Sequence, residues 1–291
     1  MIIDSHAHYA HPNFKNEFPY LDGMHGNYVL SRADRRGFVE RMQEKGIVGW
    51  LEPSIGFDDI AEQLKITEEY QKNRWVALGV HPTRCFEAGW KNRKELKKLA
   101  EQTKIVAIGE TGLDYHLPPD KQHRLVQKMW FHYLLRLADK LELPLVLHIR
   151  EADKDALKIL KRHKKQLHGG VVHCFSGDQQ TAQQYLDLGL KLGIGGFLLR
   201  EDERGKRMQQ MVKQVPLASL LVETDAPYVL PEVGPLPCSG KQRKRIVNTS
   251  MILPNVIKKI AALRGENYQV VEDAIFRNTV ETFHLQIGET R

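Results

Sequence analysis

The feature that most constrains this chain is an eightfold alternation of strand-like and helix-like stretches. Short apolar, β-branched runs recur at Ile2 to His6, Ile47 to Leu51, Trp75 to Val80, Ile105 to Gly109, Leu145 to His148, Gly170 to His173, Lys191 to Ile194 and Leu220 to Thr224, with amphipathic stretches between them. A strand that is apolar along its whole length is buried on both faces, which is the situation of a parallel sheet covered by helices. Eight such repeats predict a (β/α)8 TIM barrel, with an open doubly wound sheet as the alternative. The clearest helix follows Pro118-Pro119-Asp120 and carries Leu125, Met129, Tyr133, Leu137 and Leu141 at four-residue spacing. The tail, 252–264 and 268–284, predicts two extra helices that close the barrel's outer layer. A length of 291 residues suits two domains or one large barrel. Because no boundary, repeat or low-complexity segment interrupts the alternation, one domain over 1–291 is expected.

Composition narrows the function classes. Hydrophobic residues make up 42% and charged residues 27%, as in ordinary globular proteins. No run approaches the roughly 18 apolar residues of a membrane span. Met1 leads almost directly into the first strand, so a cytoplasmic protein without a leader or a membrane partner is expected. Cys85, Cys174 and Cys238 are odd in number and form no Cys-x-x-Cys pair, which excludes a disulfide framework and reads as reduced thiols. Lysine and arginine outnumber aspartate and glutamate 43 to 36, a net charge of +7. That excess favours a polyanionic partner such as nucleic acid. The basic stretches Lys91 to Lys98 and Lys154 to Lys165 read as solvated faces of outer helices, whereas Lys241-Gln242-Arg243-Lys244-Arg245 follows the last strand and can reach the active face. Two long loops, 9–36 after the first strand and 227–250 after the last, would lie side by side at that face as candidate substrate walls.

Titratable residues close several of the apolar runs. In Asp4-Ser5-His6-Ala7-His8 the two histidines share one face of an extended chain and can chelate one ion; on a helix they would diverge. Val106, Ile108 and Glu110 share parity, so an inward row is expected to end in a carboxylate. His148 closes 143–148, His173 closes 170–173, and Asp225 ends the row through Leu221 and Glu223. Four imidazoles and two carboxylates at one barrel mouth would be prohibitively costly to bury unless a cation satisfied them. Six ligands exceed what one catalytic ion with an open position needs, but they suit two ions sharing a carboxylate.

Here the chain resembles a known family. The segments Asp4-Ser5-His6-Ala7-His8, Gly79-Val80-His81-Pro82, Gly109-Glu110-Thr111-Gly112-Leu113-Asp114-Tyr115, His148-Ile149-Arg150-Glu151-Ala152, His173-Cys174-Phe175-Ser176-Gly177, Glu223-Thr224-Asp225-Ala226-Pro227-Tyr228 and Ala261-Ala262-Leu263-Arg264-Gly265 are similar, in order, to the signatures of the TatD-type metal-dependent deoxyribonucleases, amidohydrolase-like barrels. The resemblance implies that His6, His8, Glu110 and Asp225 hold one divalent ion and that Glu110, His148 and His173 hold a second, Glu110 bridging. It implies an activated water as nucleophile, Asp225 as general base, and DNA, single-stranded above all, as substrate, cut as by a 3′ exonuclease. The ions would be zinc, manganese or magnesium; imidazole ligands favour the first two. Three features depart from the family pattern: the long first loop, Ile149 where serine is common, and the segment 230–250. None of them is a ligand position.

Weaker expectations attach to the neighbours. His81 and Arg150 are candidate substrate-phosphate contacts; the alternatives are a loop hydrogen bond for His81 and pairing with Glu151 or Asp153 for Arg150. Asp4 is expected to orient a ligand histidine, Asp114 to fix its loop or touch substrate, and Cys174 to face the helices. Two other functions compete with the nuclease. One is a small-molecule amidohydrolase or lactonase using the same metal centre; the other is a catalytically dead binding barrel, disfavoured because every ligand position is filled.

Overall fold

The computed structural model describes the chain except for residues 25–26, 71, 102–103, 117–119, 232–244 and 289–291. Its strands are β1 (Ile2–Asp4), β2 (Phe18–Met24), β3 (Asn27–Ala33), β4 (Ile47–Pro53), β5 (Arg74–Leu78), β6 (Ile105–Asp114), β7 (Leu145–Arg150), β8 (Gly170–Val172), β9 (Lys191–Ile194) and β10 (Leu220–Val222). Eight of them form one parallel sheet in the order β1-β4-β5-β6-β7-β8-β9-β10. The ends of that sheet meet. Ser5 N donates to Val222 O at 3.0 Å, Asp225 N donates to His6 O at 2.9 Å, and Ala7 bridges Ala226. The alternation has thus built the barrel expected of it, and the open doubly wound sheet is set aside.

Burial on both strand faces separates two apolar layers. Ile3, Val48, Leu51, Ala77, Ala107, Val146, Val171 and Leu221 fill the barrel, while Ile2, Ile47, Val76, Leu78, Ile108, Leu145 and Val222 pack outward. The outer layer comprises α1 (Arg35–Glu44), α2 (Ile60–Glu69), α3 (Cys85–Ala88), α4 (Arg93–Ala100), α5 (Lys121–Leu141), α6 (Asp153–Arg162), α7 (Gln179–Leu186), α8 (Glu203–Gln214), α9 (Leu253–Arg264) and α10 (Tyr268–Phe283). The tail therefore forms the two expected helices. Phe276, Val280 and Phe283 of α10, with Leu285, join the interior layer, and Gly288 N donates to Asn73 Oδ1, just ahead of β5. These residues plug the end of the barrel at which the strands begin, leaving the opposite mouth for chemistry. No described helix is long and apolar enough to cross a membrane.

Two expectations need correction. The helix after Asp120 forms, with the Asp120 side chain accepting from His123 N, but Leu125 and Met129 are exposed. A four-residue step advances about 40° beyond a full turn, so the row walks off the buried face, which is built by Gln127, Trp130, Phe131, Leu134 and Ala138. The first long loop is largely structured: β2 and β3 pair antiparallel, and Tyr9, Phe14, Phe18 and Tyr20 are core rather than substrate wall. Tyr20 bridges Val247, so the two long segments do lie side by side. Of the basic run 241–245 only Arg245 is among the described residues; Cys238 and Pro118-Pro119 also fall outside them.

Candidate metal centre

His6 and His8 lie just beyond the end of β1, where backbone bonds keep the chain extended: Ala7 N donates to Leu51 O at 3.0 Å and His8 N to Ala226 O at 2.8 Å. Their Nε2 atoms are 3.2 Å apart. Placing Nδ1–H of His8 toward Pro53 O, 3.1 Å away, leaves its Nε2 lone pair facing the cluster. Asp4 does not orient an imidazole as expected. Its Oδ1 accepts from the backbone N–H of His6 and Thr224, and its Oδ2 from the Thr224 and Ser250 hydroxyls. It therefore ties the first strand to the last.

Glu110 is the centre of the arrangement, although it does not end its strand and does not share a face with Ile108. The pairing of β6 with β7 slips between Ile108 and Thr111, a bulge that puts Ile108, which packs outward, and the Glu110 side chain, which enters the mouth, on different faces. The residue that follows β5 must also be small: a Cβ on Gly79 would sit 2.6 Å from Glu110 O. Glu110 Oε1 lies 2.8 Å from His148 Nδ1, 2.8 Å from His173 Nε2 and 3.5 Å from His81 Nε2. Its Oε2 lies 3.6 Å from His6 Nε2 and 3.9 Å from His8 Nε2. The two oxygens thus face different sets of nitrogens.

Asp225 completes the second set, with Oδ1 3.5 Å from His6 Nε2 and 3.4 Å from His8 Nε2. Its own backbone is left-handed at φ 57°, as is that of Cys174 at 49°, a conformation that costs energy in residues other than glycine and gathers at functional sites. That turn carries Cys174 into a cleft beside the cluster, with its N–H on Glu223 Oε1, rather than toward the helices. Strand parity fails there because β8 stops at Val172. His148 Nε2 lies 3.1 Å from Asp114 Oδ2, while Asp114 Oδ1 accepts from His116 N; Asp114 therefore orients a ring and fixes its loop.

Burial would push the Glu110 carboxyl up, but His173, His81 and His6 hold it well below the usual carboxylate range. Asp225 is likewise held down, against its burial, chiefly by His8. Burial depresses His6 to about 4 and His81 to about 3. His8 and His148 resist it: Asp225 and Glu110 raise His8 to about 9, and Asp114 and Glu110 raise His148 to about 9. Anionic carboxylates beside neutral and protonated imidazoles are the donor set that a cation would displace protons from.

The geometry accommodates metal. His6, His8, His81, Glu110, His148, His173 and Asp225 fall into overlapping groups whose donor atoms lie within 4.8 Å of one another. Ligands about 2.0–2.2 Å from an ion stand roughly 3–3.5 Å apart, near the distances observed. His81, expected at the substrate phosphate, joins this cluster and also bonds its loop through Nδ1, 2.7 Å from Thr83 Oγ1.

The cluster floors a cleft of about 940 Å³ whose walls include Arg150, Tyr228 and Phe86, the last stacked on His123. Arg150 makes no ion pair among the described residues: Glu151 pairs with His116 and Asp153 accepts from Tyr185. Sequence reasoning missed two buried carboxylates. Glu52 accepts from Tyr9 N, Ala10 N and Trp50 Nε1, folding the segment after His8, and burial lifts it to about 7. Glu223 stands 3.8 Å from His173 Nδ1, and burial, aided by Asp225, pushes its carboxyl well up. The signal was present in each case: a carboxylate directly against an apolar run.

A family model described as TatD related DNase matches residues 3–284. The "3'-5' ssDNA/RNA exonuclease TatD" of Rahnella sp. (strain Y9602) is 34% identical over 255 residues, covering 87% of this chain and 93% of that protein. The protein of the same name from Pantoea ananatis is 32% identical, covering 87% and 94%. Among solved structures, the TatD homologue YjjV of Escherichia coli K12 matches with a TM-score of 0.78 at 29% identity, covering 98% of both chains.

Proposed function

This chain belongs to the TatD-related DNase family, and on that premise we propose that residues 1–291 act as one metal-dependent exonuclease that shortens single-stranded DNA, and RNA, from the 3′ end. The observation that carries this reading is the split of Glu110: Oε2 toward His6 and His8, Oε1 toward His148 and His173. A carboxylate so placed suits two divalent ions, one held with Asp225, His6 and His8 and one with His148 and His173. Such ions supply Lewis-acid stabilisation of the charge that develops on the phosphoryl oxygens and acidify water.

The chain's own groups do the rest. Asp225, held anionic, accepts the proton of the attacking water as general base. Arg150, without an ion-pair partner among the described residues, presents a fork of N–H donors to a non-bridging phosphate oxygen. Asp114 fixes the His148 ring, and His8 is fixed by Pro53 O, so the donors are oriented before substrate arrives. Phe86 and Tyr228, 51% and 44% exposed at the cleft, offer faces on which bases stack irrespective of sequence.

The test is digestion of a 5′-labelled single-stranded oligonucleotide by chelator-stripped protein resupplied with zinc, manganese or magnesium, beside Asp225→Asn. Metal-dependent stepwise shortening that the variant loses supports the reading. An intact strand, with lactones or amides hydrolysed instead, would transfer the site to the small-molecule alternative.

A further inference from the structure

A second pocket, of about 480 Å³, opens beside the metal cluster and shares His148, His173 and Asp225 with the larger cleft. Three arginines stand on the rest of its wall, Arg150 from β7 and Arg204 and Arg207 from the first turns of α8, beside Glu151, Asp153 and apolar residues such as Phe175 and Phe197. Arg204 lies over the Phe197 ring at 4.5 Å, a contact that engages its flat face and leaves its N–H edges free. Arg200 is spent on Asp202, whereas Arg150, Arg204 and Arg207 have no ion-pair partner among the described residues. The pocket's other carboxylates are engaged: Glu151 with His116 Nδ1 at 2.6 Å, and Asp153 with the Tyr185 hydroxyl at 2.8 Å.

Unpaired guanidiniums facing one cavity match phosphate oxygens in fork geometry. The scissile phosphate lies at the metal cluster, beside Arg150, which lines both cavities, so Arg204 and Arg207, which line only the smaller one, serve another phosphate. The volume distinguishes which. The larger cleft, with its exposed aromatic rings, suits the continuing strand; the smaller pocket is in the range of about 300–1,000 Å³ that holds one small ligand. It accommodates a single terminal nucleotide.

We infer that the pocket lined by Arg150, Arg204 and Arg207 receives the 3′-terminal nucleotide and binds a phosphate on its 3′ oxygen, so that the enzyme processes strands with 3′-phosphate ends. This inference rests on the exonuclease reading above for the direction of the strand. Water attacks the phosphorus of the last internucleotide diester, and the bond from that phosphorus to the upstream O3′ breaks. The upstream O3′ leaves with a proton as a hydroxyl. The product is a nucleoside 3′,5′-bisphosphate, and the remaining strand carries an unblocked 3′-hydroxyl.

The test is calorimetric binding of thymidine 3′,5′-bisphosphate and thymidine 5′-monophosphate to the metal-loaded protein, wild type and Arg204→Gln/Arg207→Gln. The wild type should prefer the bisphosphate at least tenfold, and the double variant should bring the two ligands within about threefold. Equal binding by the wild type, or a preference that survives in the variant, overturns the inference. In parallel, 5′-labelled strands ending in 3′-phosphate or 3′-hydroxyl are digested. Shortening of both supports it; stalling on the phosphate end alone overturns it. If neither strand is cut while the bisphosphate preference holds, the exonuclease reading fails and the phosphate pocket stands.

Discussion

Replacing Glu110 by glutamine separates a shared carboxylate from one that merely lies near several histidines. The amide keeps one oxygen and turns an NH2 group toward the other set, so imidazole nitrogens 2.8 Å or 3.6 Å away would face a donor instead of an acceptor. A bound ion stabilises the fold by RT ln(1 + [L]/Kd), about 2.7 kcal/mol at 100 Kd. For 291 residues, an unfolding entropy of about 2.1 cal/mol/K per residue amounts to about 0.6 kcal/mol/K. Each ion should therefore raise Tm by about 4 °C, and two by about 9 °C. A hundredfold loss of affinity at the same metal concentration shrinks an increment to RT ln 2, about 0.4 kcal/mol or under about 1 °C. Scanning calorimetry of chelator-stripped protein with metal restored should show both increments in wild type and one in Asp225→Asn. In Glu110→Gln almost none should remain. The increment, not the absolute Tm, is the readout, because the metal-free fold also loses its Glu110–imidazole contacts. A variant that kept both increments would refute the shared carboxylate.

Other outcomes follow from the same geometry. In the metal-free protein His8 and His148 hold protons up to about pH 9, and only neutral imidazole ligates, so metal binding must expel them. Affinity should rise with pH, by as much as tenfold per displaced proton per unit, and level off above about 9, with proton release measurable in weakly buffered titrations. Glu223→Ala, which removes the carboxylate beside His173 Nδ1, should weaken metal binding by about 10–100-fold, read by competition with a chromogenic chelator. Phe283→Ala, at the plugged end of the barrel, should cost about 3–5 kcal/mol, or about 5–8 °C in Tm, while metal affinity stays unchanged.

What was legible in the sequence follows from which physical rule was locally complete. The eight strands read correctly because burial on both faces imposes a continuous apolar run, and His148 and His173 point to the mouth as their parity predicts because Val146 and Val171, two residues earlier on the same faces, fill the barrel. Parity failed wherever the strand did not remain regular. The bulge before Thr111 took Ile108 and Glu110 to different faces, and the left-handed turn at Cys174 brought a residue meant for the helices into a cleft. The hairpin of β2 and β3 was hidden because its aromatics serve a core made by distant segments such as α9. Asp4 was assigned the wrong partner, and Glu52 and Glu223 were assigned no role, because their partners, Ser250, Trp50 and Cys174, are chosen by the closed barrel.

The central claim, that Glu110 is shared between two ions, is tested most directly by anomalous diffraction from metal-loaded crystals at the absorption edge of the metal supplied. Two peaks per chain about 3.5–4 Å apart, one among His6, His8 and Asp225 and one beside His148 and His173, with an oxygen of Glu110 toward each, are the result expected. A single peak, or two that leave either Glu110 oxygen without a metal, would contradict it.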